Sequence, residues 1–177
     1  MHEARTPAEV AILLRASGSS RIAIDGTDGS GKTTLAKELA SELGVAVFHL
    51  DDFVAKNRGT YIANLDAAKL ANSLGQSSEG WVVEGVCILR ALEALPLEPD
   101  VLVYVKRMSH GHWSDEDELA PCIPIEEHLS QLRDMVRPMA EAFGETGGLG
   151  LAEEIIRYHA SHRPHEKASI AYLRADG

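Results

Sequence analysis

Eight consecutive residues, Gly26-Thr27-Asp28-Gly29-Ser30-Gly31-Lys32-Thr33, fit the spacing G-x-x-x-x-G-K-[ST] without a mismatch. That spacing serves to hold phosphate. Glycines let the backbone turn tightly enough for several N–H groups to point at phosphate oxygens, and a helix opening at the end of the loop adds its positive terminus. Gly26 through Thr34 are thus candidate nucleotide contacts, with Lys32 bridging the terminal phosphates and the Thr33 hydroxyl a ligand for Mg2+. Asp28 is a candidate for the same site, against the plainer role of a turn-capping residue. A glycine-rich turn without a nucleotide is the bland alternative, and the agreement of the Gly, Lys and Thr positions speaks against it. The Asn-Lys-x-Asp segment that would favour guanine is absent, since Lys56-Asn57 runs in the opposite order, so ATP is the expected nucleotide.

Two acidic segments follow at the ends of apolar runs. In His49-Leu50-Asp51-Asp52-Phe53 either aspartate could orient an acceptor hydroxyl and take its proton, with capping of the next segment as the competing role. In Val82-Val83-Glu84-Gly85 the carboxylate is placed to hold Mg2+ or border the substrate, while Gly85 lets the chain pass close to it. Arg107, after a further apolar run, is a candidate phosphate clamp in the transition state, and Arg163 a candidate substrate contact. Tyr61 could stack on an acceptor, against a packing role. His110, His112, His159, His162 and His165 lack the paired ligand spacing of a zinc site, so zinc is not expected.

The elements that must position these residues alternate. Thr6-Pro7-Ala8-Glu9 reads as a helix start and Gly18 as its stop, giving an N-terminal helix within residues 1–18 that packs on the core without doing chemistry. Apolar runs at 21–25, 45–50, 81–84, 101–105 and 168–173 read as five strands. Between them, helices are expected over 32–43, 64–74 and 88–95, and beyond 105 from a capping box at Ser114 and Asp117, along a stripe from Ile125 to Ala140 kinked by Pro138, and up to Tyr158 after a turn at Gly144, Gly147, Gly148 and Gly150. Strands that are apolar throughout and separated by helices belong to a mainly parallel sheet covered on both faces. In such a sheet the carboxyl ends of neighbouring strands share one crevice, so Asp51 and Glu84 should face the phosphate loop.

Composition narrows the partners. The chain has 177 residues, enough for one domain, and a formal charge of -10, which argues against a broad nucleic-acid surface. Cys87 and Cys122 are its two cysteines, unpaired in spacing, and no run of about 20 apolar residues is present, so a cytoplasmic protein without membrane partners is expected. Oligomeric state is left between monomer and homodimer.

Together, GTDGSGKTT, HLDDF, VVEGV and PDVLVYVKR resemble the uridine kinase-like group of P-loop small-molecule kinases, whose relatives include pantothenate kinase and phosphoribulokinase. The resemblance covers most of residues 21–107, and RYHASHRPHEKASIAYL resembles the segment leading into the last core strand of that group. It implies a three-layer α/β P-loop nucleoside-triphosphate hydrolase fold with a mainly parallel, five-stranded sheet. It also implies that Asp51 is the substrate-side catalytic aspartate with Phe53 near the acceptor. The lid corresponding to 107–124 is short and poor in arginine. The expected activity is ATP-dependent transfer of the terminal phosphoryl group to a hydroxyl of a small molecule, possibly a nucleoside or related metabolite. The alternatives are a nucleotide-dependent switch or regulatory ATPase without an acceptor, and a structural P-loop protein that has lost catalysis.

Overall fold

The computed structural model describes residues 1–55, 60–142 and 148–175. Lys56 and Asn57, and the expected turn residues Gly144 and Gly147, lie outside the described residues. The order of elements is β1 (His2–Ala4), α1 (Pro7–Ser17), β2 (Arg21–Gly26), α2 (Lys32–Leu43), β3 (Ala46–His49), α3 (Ala67–Gly75), β4 (Trp81–Glu84), α4 (Ile88–Leu92), β5 (Val101–Ser109), β6 (His112–Trp113), α5 (Glu116–Leu119), α6 (Ile125–Ala142), α7 (Leu151–His162), α8 (Pro164–Lys167) and β7 (Ile170–Ala175).

The sheet runs β1-β7-β5-β2-β4-β3, all parallel, with β6 folded back antiparallel on β5. Residues 22–26 of β2 are buried, and alternate side chains enter opposite layers. Ile22 and Ile24 pack with Leu14 of α1 and with Leu35 and Leu39 of α2. Ala23 joins the other layer with Leu50, Leu70, Trp81, Tyr104 and Ile156. These two apolar clusters on either face of one sheet make three layers, as expected.

All five expected strands are present, but the sheet has seven strands rather than five. β1 was not legible because three residues flanked by charge carry no apolar run; its pairing with β7, His2 opposite Ile170, makes it a strand. β6 exists because His110 and Gly111 both take positive φ, 50° and 84°, the two-residue turn that reverses a hairpin. The capping box at Ser114 is also not formed: α5 is preceded by Asp115, whose carboxylate is drawn to Arg107 and Thr27 instead. α1 matches its reading, with Thr6 accepting from the Glu9 N–H at 3.2 Å and Gly18 in the left-handed region. α6 continues through Pro138, and Ile125, Leu129 and Leu132 of its stripe reach the core. Among the described residues no helix is long and apolar enough to cross a membrane.

Candidate functional site

The loop between β2 and α2 curls over the carboxyl end of the sheet. Gly31, with φ of 94°, turns the chain into α2, and a Cβ there would lie 2.8 Å from the Arg174 guanidinium. Lys32 is 7% exposed, and its ammonium group donates to the Thr27 carbonyl at 2.5 Å. Burial holds its pKa below the ordinary lysine value, opposed by the carboxylates of Glu84, Asp25, Asp28 and Asp51. Asp28 lies at the exposed rim and accepts from the N–H of the next residue, Gly29, at 2.9 Å.

Glu84 ends β4 in register with Ile24 on one side and His49 on the other. Its buried carboxylate receives the Thr33 hydroxyl at 3.0 Å and contacts His49 Nδ1 at 2.7 Å through the same oxygen. The next residue has to be glycine, because a Cβ at Gly85 would sit 2.5 Å from the Leu50 Cβ. That close approach brings the turn carrying Asp51 alongside Glu84.

Asp51 is exposed to the cleft and accepts a hydrogen bond from the Tyr61 hydroxyl. Burial, and then the bond to Asp51, push the Tyr61 phenol well above the ordinary tyrosine range. Tyr61 is itself held by its backbone: its N–H and that of Ile62 donate to the two oxygens of Glu154, at 2.6 and 3.0 Å.

These parts border one open cleft of about 970 Å³, lined by the loop from Asp28 to Thr34, by Asp51, Tyr61, Glu84 and Gly85, and by aliphatic side chains including Val54, Val86 and Leu151. Within the loop, Gly26, Thr27 and Ser30 are not part of that lining; Ser30 is fully buried, and its hydroxyl has no hydrogen-bond partner among the described residues.

Four candidate residues outside the loop, Phe53, Asp52, Arg163 and Arg107, do not line the cleft either. Phe53 is buried in the core, with the Lys69 ammonium 5.2 Å from its ring. Asp52 is exposed beside it. Arg163 is exposed at the junction of α7 and α8, where it pairs with Glu166 at 3.3 Å. Arg107 is paired with the buried carboxylate of Asp115, which also accepts the Thr27 hydroxyl at 3.0 Å, so Arg107 and Thr27 are linked through a shared partner.

Among the described residues the arginine that lines the cleft is Arg174, near the end of β7, whose guanidinium donates to the Gly29 carbonyl at 3.2 Å. It escaped notice because the last strand was ended at residue 173. Asp25 stands immediately before the loop. It is fully buried, accepts from the Gly26 N–H at 2.8 Å and from the Tyr158 hydroxyl, and burial pushes its pKa up to about 7 against those bonds and the nearby Lys32 charge.

Among the described residues no cluster of three or more His, Cys, Asp or Glu side chains is placed to hold a metal ion. A hydroxyl and a carboxylate within 3.0 Å of each other, Thr33 and Glu84, nevertheless suit Mg2+, which takes few protein ligands and completes its shell with phosphate oxygens and water.

No protein-family profile and no curated protein matches the sequence. Among solved structures, one described as that of a possible uridine kinase from Bacillus stearothermophilus superposes with a TM-score of 0.51 and 17% identity, covering 94% of this chain and 96% of that one. At that identity the likeness establishes the fold alone. The chain has a three-layer α/β fold whose mainly parallel sheet, in the order β1-β7-β5-β2-β4-β3, matches a P-loop NTPase-like architecture.

Proposed function

We propose that the chain is an ATP-dependent phosphotransferase that moves the terminal phosphoryl group onto a hydroxyl of a small molecule. The observation that carries this proposal is the cleft itself: a phosphate loop with Lys32 and Arg174 on one side, and a solvent-accessible carboxylate, Asp51, on the other. An aliphatic wall beside such a carboxylate suits an acceptor that presents a hydroxyl on a carbon skeleton.

The loop N–H groups and Lys32 hold the phosphates, and Arg174 adds a second positive charge. Thr33 and Glu84 would hold Mg2+, which supplies charge neutralisation on the phosphates. Asp51 orients the acceptor hydroxyl and takes its proton as the new O–P bond forms; the bond from phosphorus to the bridging oxygen breaks and ADP leaves. Tyr61 donates to Asp51 and sets the direction of its free oxygen. Residues 107–124, which include the hairpin and α5, are assigned as a compact lid. The protein is taken to act in the cytoplasm as a monomer or homodimer, without nucleic-acid or membrane partners.

The test is a panel of hydroxyl-bearing metabolites incubated with Mg2+ and ATP, with ADP and phosphorylated acceptor both measured. Equal amounts of the two products for one acceptor class are expected. ADP without phosphorylated acceptor across the panel would overturn the proposal in favour of a regulatory ATPase.

A further inference from the structure

Glu154 lies on α7, far in sequence from the segment it grips, and is half-buried. On an amphipathic helix a glutamate ordinarily faces water. Here both carboxylate oxygens are used on successive backbone N–H groups, those of Tyr61 and Ile62. Each is a charge-assisted bond, stronger than a bond between neutral groups. The same face of α7 carries Leu151, one turn earlier, which lines the cleft, and Tyr158, one turn later, which donates to Asp25 under the phosphate loop.

We infer that Glu154 is a positioning residue for the acceptor side of the cleft: by fixing the backbone at Tyr61 and Ile62 it holds the Tyr61 hydroxyl on Asp51, and so sets how the acceptor is received without touching the nucleotide. The inference rests on Asp51 being the acceptor-side base. The geometry requires such a clamp because the Tyr61 ring hangs from a short 3-10 turn, Ile62–Asn64, rather than from a helix or strand. Without an anchor the bond to Asp51 would compete with water, and the carboxylate would lose its preferred direction.

The test uses the full chain with Glu154→Gln and Glu154→Ala. Two readouts need neither nucleotide nor acceptor, and therefore stand even if no acceptor is found. Amide hydrogen exchange at Tyr61 and Ile62 should accelerate by about tenfold in Glu154→Gln, where one oxygen becomes a donor, and more in Glu154→Ala, with Ile24 and Val103 of the central strands unchanged. Carbon-13 labelled tyrosine, with the Tyr61 signal assigned by Tyr61→Phe, should show the Tyr61 phenol protonated at about pH 10.5 in the parent protein and partly ionised in Glu154→Ala. With an acceptor in hand, its KM should rise by about tenfold while the KM for ATP stays constant. Unchanged exchange and Tyr61 ionisation would overturn the inference, as would an equal rise in the KM for ATP, which would mark Glu154 as a general stabiliser of the fold.

Discussion

The phenol hydroxyl of Tyr158, in the middle of α7, is bonded to the carboxylate of Asp25, the residue on which the phosphate loop begins. Burial, opposed by that bond, pushes the Asp25 carboxyl up to about 7 in the folded protein, against about 4 in the unfolded chain, and between those values the folded protein holds the extra proton. This contribution is fully present below about pH 4 and is lost as pH rises through 7, at up to about 1.4 kcal/mol per pH unit. Buried His159, held neutral with a pKa of about 4, acts in the opposite direction over nearly the same range, so variants must be compared. Urea unfolding at about pH 5 and about pH 8 should show Asp25→Asn losing less stability across the interval than the parent. Tyr158→Phe, by removing a bond that lowers the Asp25 pKa, should extend the loss to higher pH. Parallel profiles for Asp25→Asn and the parent would place the titration elsewhere.

Lys32 is the charged group nearest the loop carbonyls, and replacing it removes a cation that the phosphates need. Lys32→Ala should weaken ATP binding by about 10- to 100-fold, measured by calorimetry on folded protein. Unchanged affinity would mean that the phosphates do not lie along the loop.

Arg174 lines the cleft and Arg107 does not. Arg174→Gln should lower ATP and inorganic tripolyphosphate affinity by about tenfold. Arg107→Gln should leave both nearly unchanged while lowering thermal stability, because it strands the buried Asp115 carboxylate. If Arg107→Gln instead weakened tripolyphosphate binding more than Arg174→Gln, the two roles would have to be exchanged.

Asp51 faces the cleft beside Tyr61, and Asp52 does not. Asp51→Asn should keep ATP affinity and slow phosphoryl transfer by about 10²- to 10⁴-fold at saturating ATP. Asp52→Asn should have the smaller effect. A larger loss in Asp52→Asn would shift the base to that residue.

What the sequence made legible was local or followed from strand ends. The phosphate loop is one contiguous motif between a strand and a helix, and Asp51 and Glu84 meet because parallel strands deliver their carboxyl ends to one crevice. Arg174 was missed because Leu173-Arg174-Ala175 has no apolar pattern of its own and is strand only through pairing with β5. The pairing of Arg107 with Asp115 was not legible because Asp115 carries no motif. Glu154 was invisible for another reason: its partners are backbone N–H groups, which leave no mark in the sequence.

The edge pairing of β1 with β7 has a consequence in time. During synthesis the phosphate loop emerges before either neighbour of β2, since β4 and β5 follow it in the chain, and Arg174 arrives later still, with β7. A nascent chain therefore carries the motif long before it carries the site. Such non-local closure is slow relative to helix formation, and the unpaired edge of β5 is open to wrong partners until β7 docks. Tight phosphate binding would then report that this sheet has closed, because Arg174 is delivered to the cleft with the strand that pairs with β5.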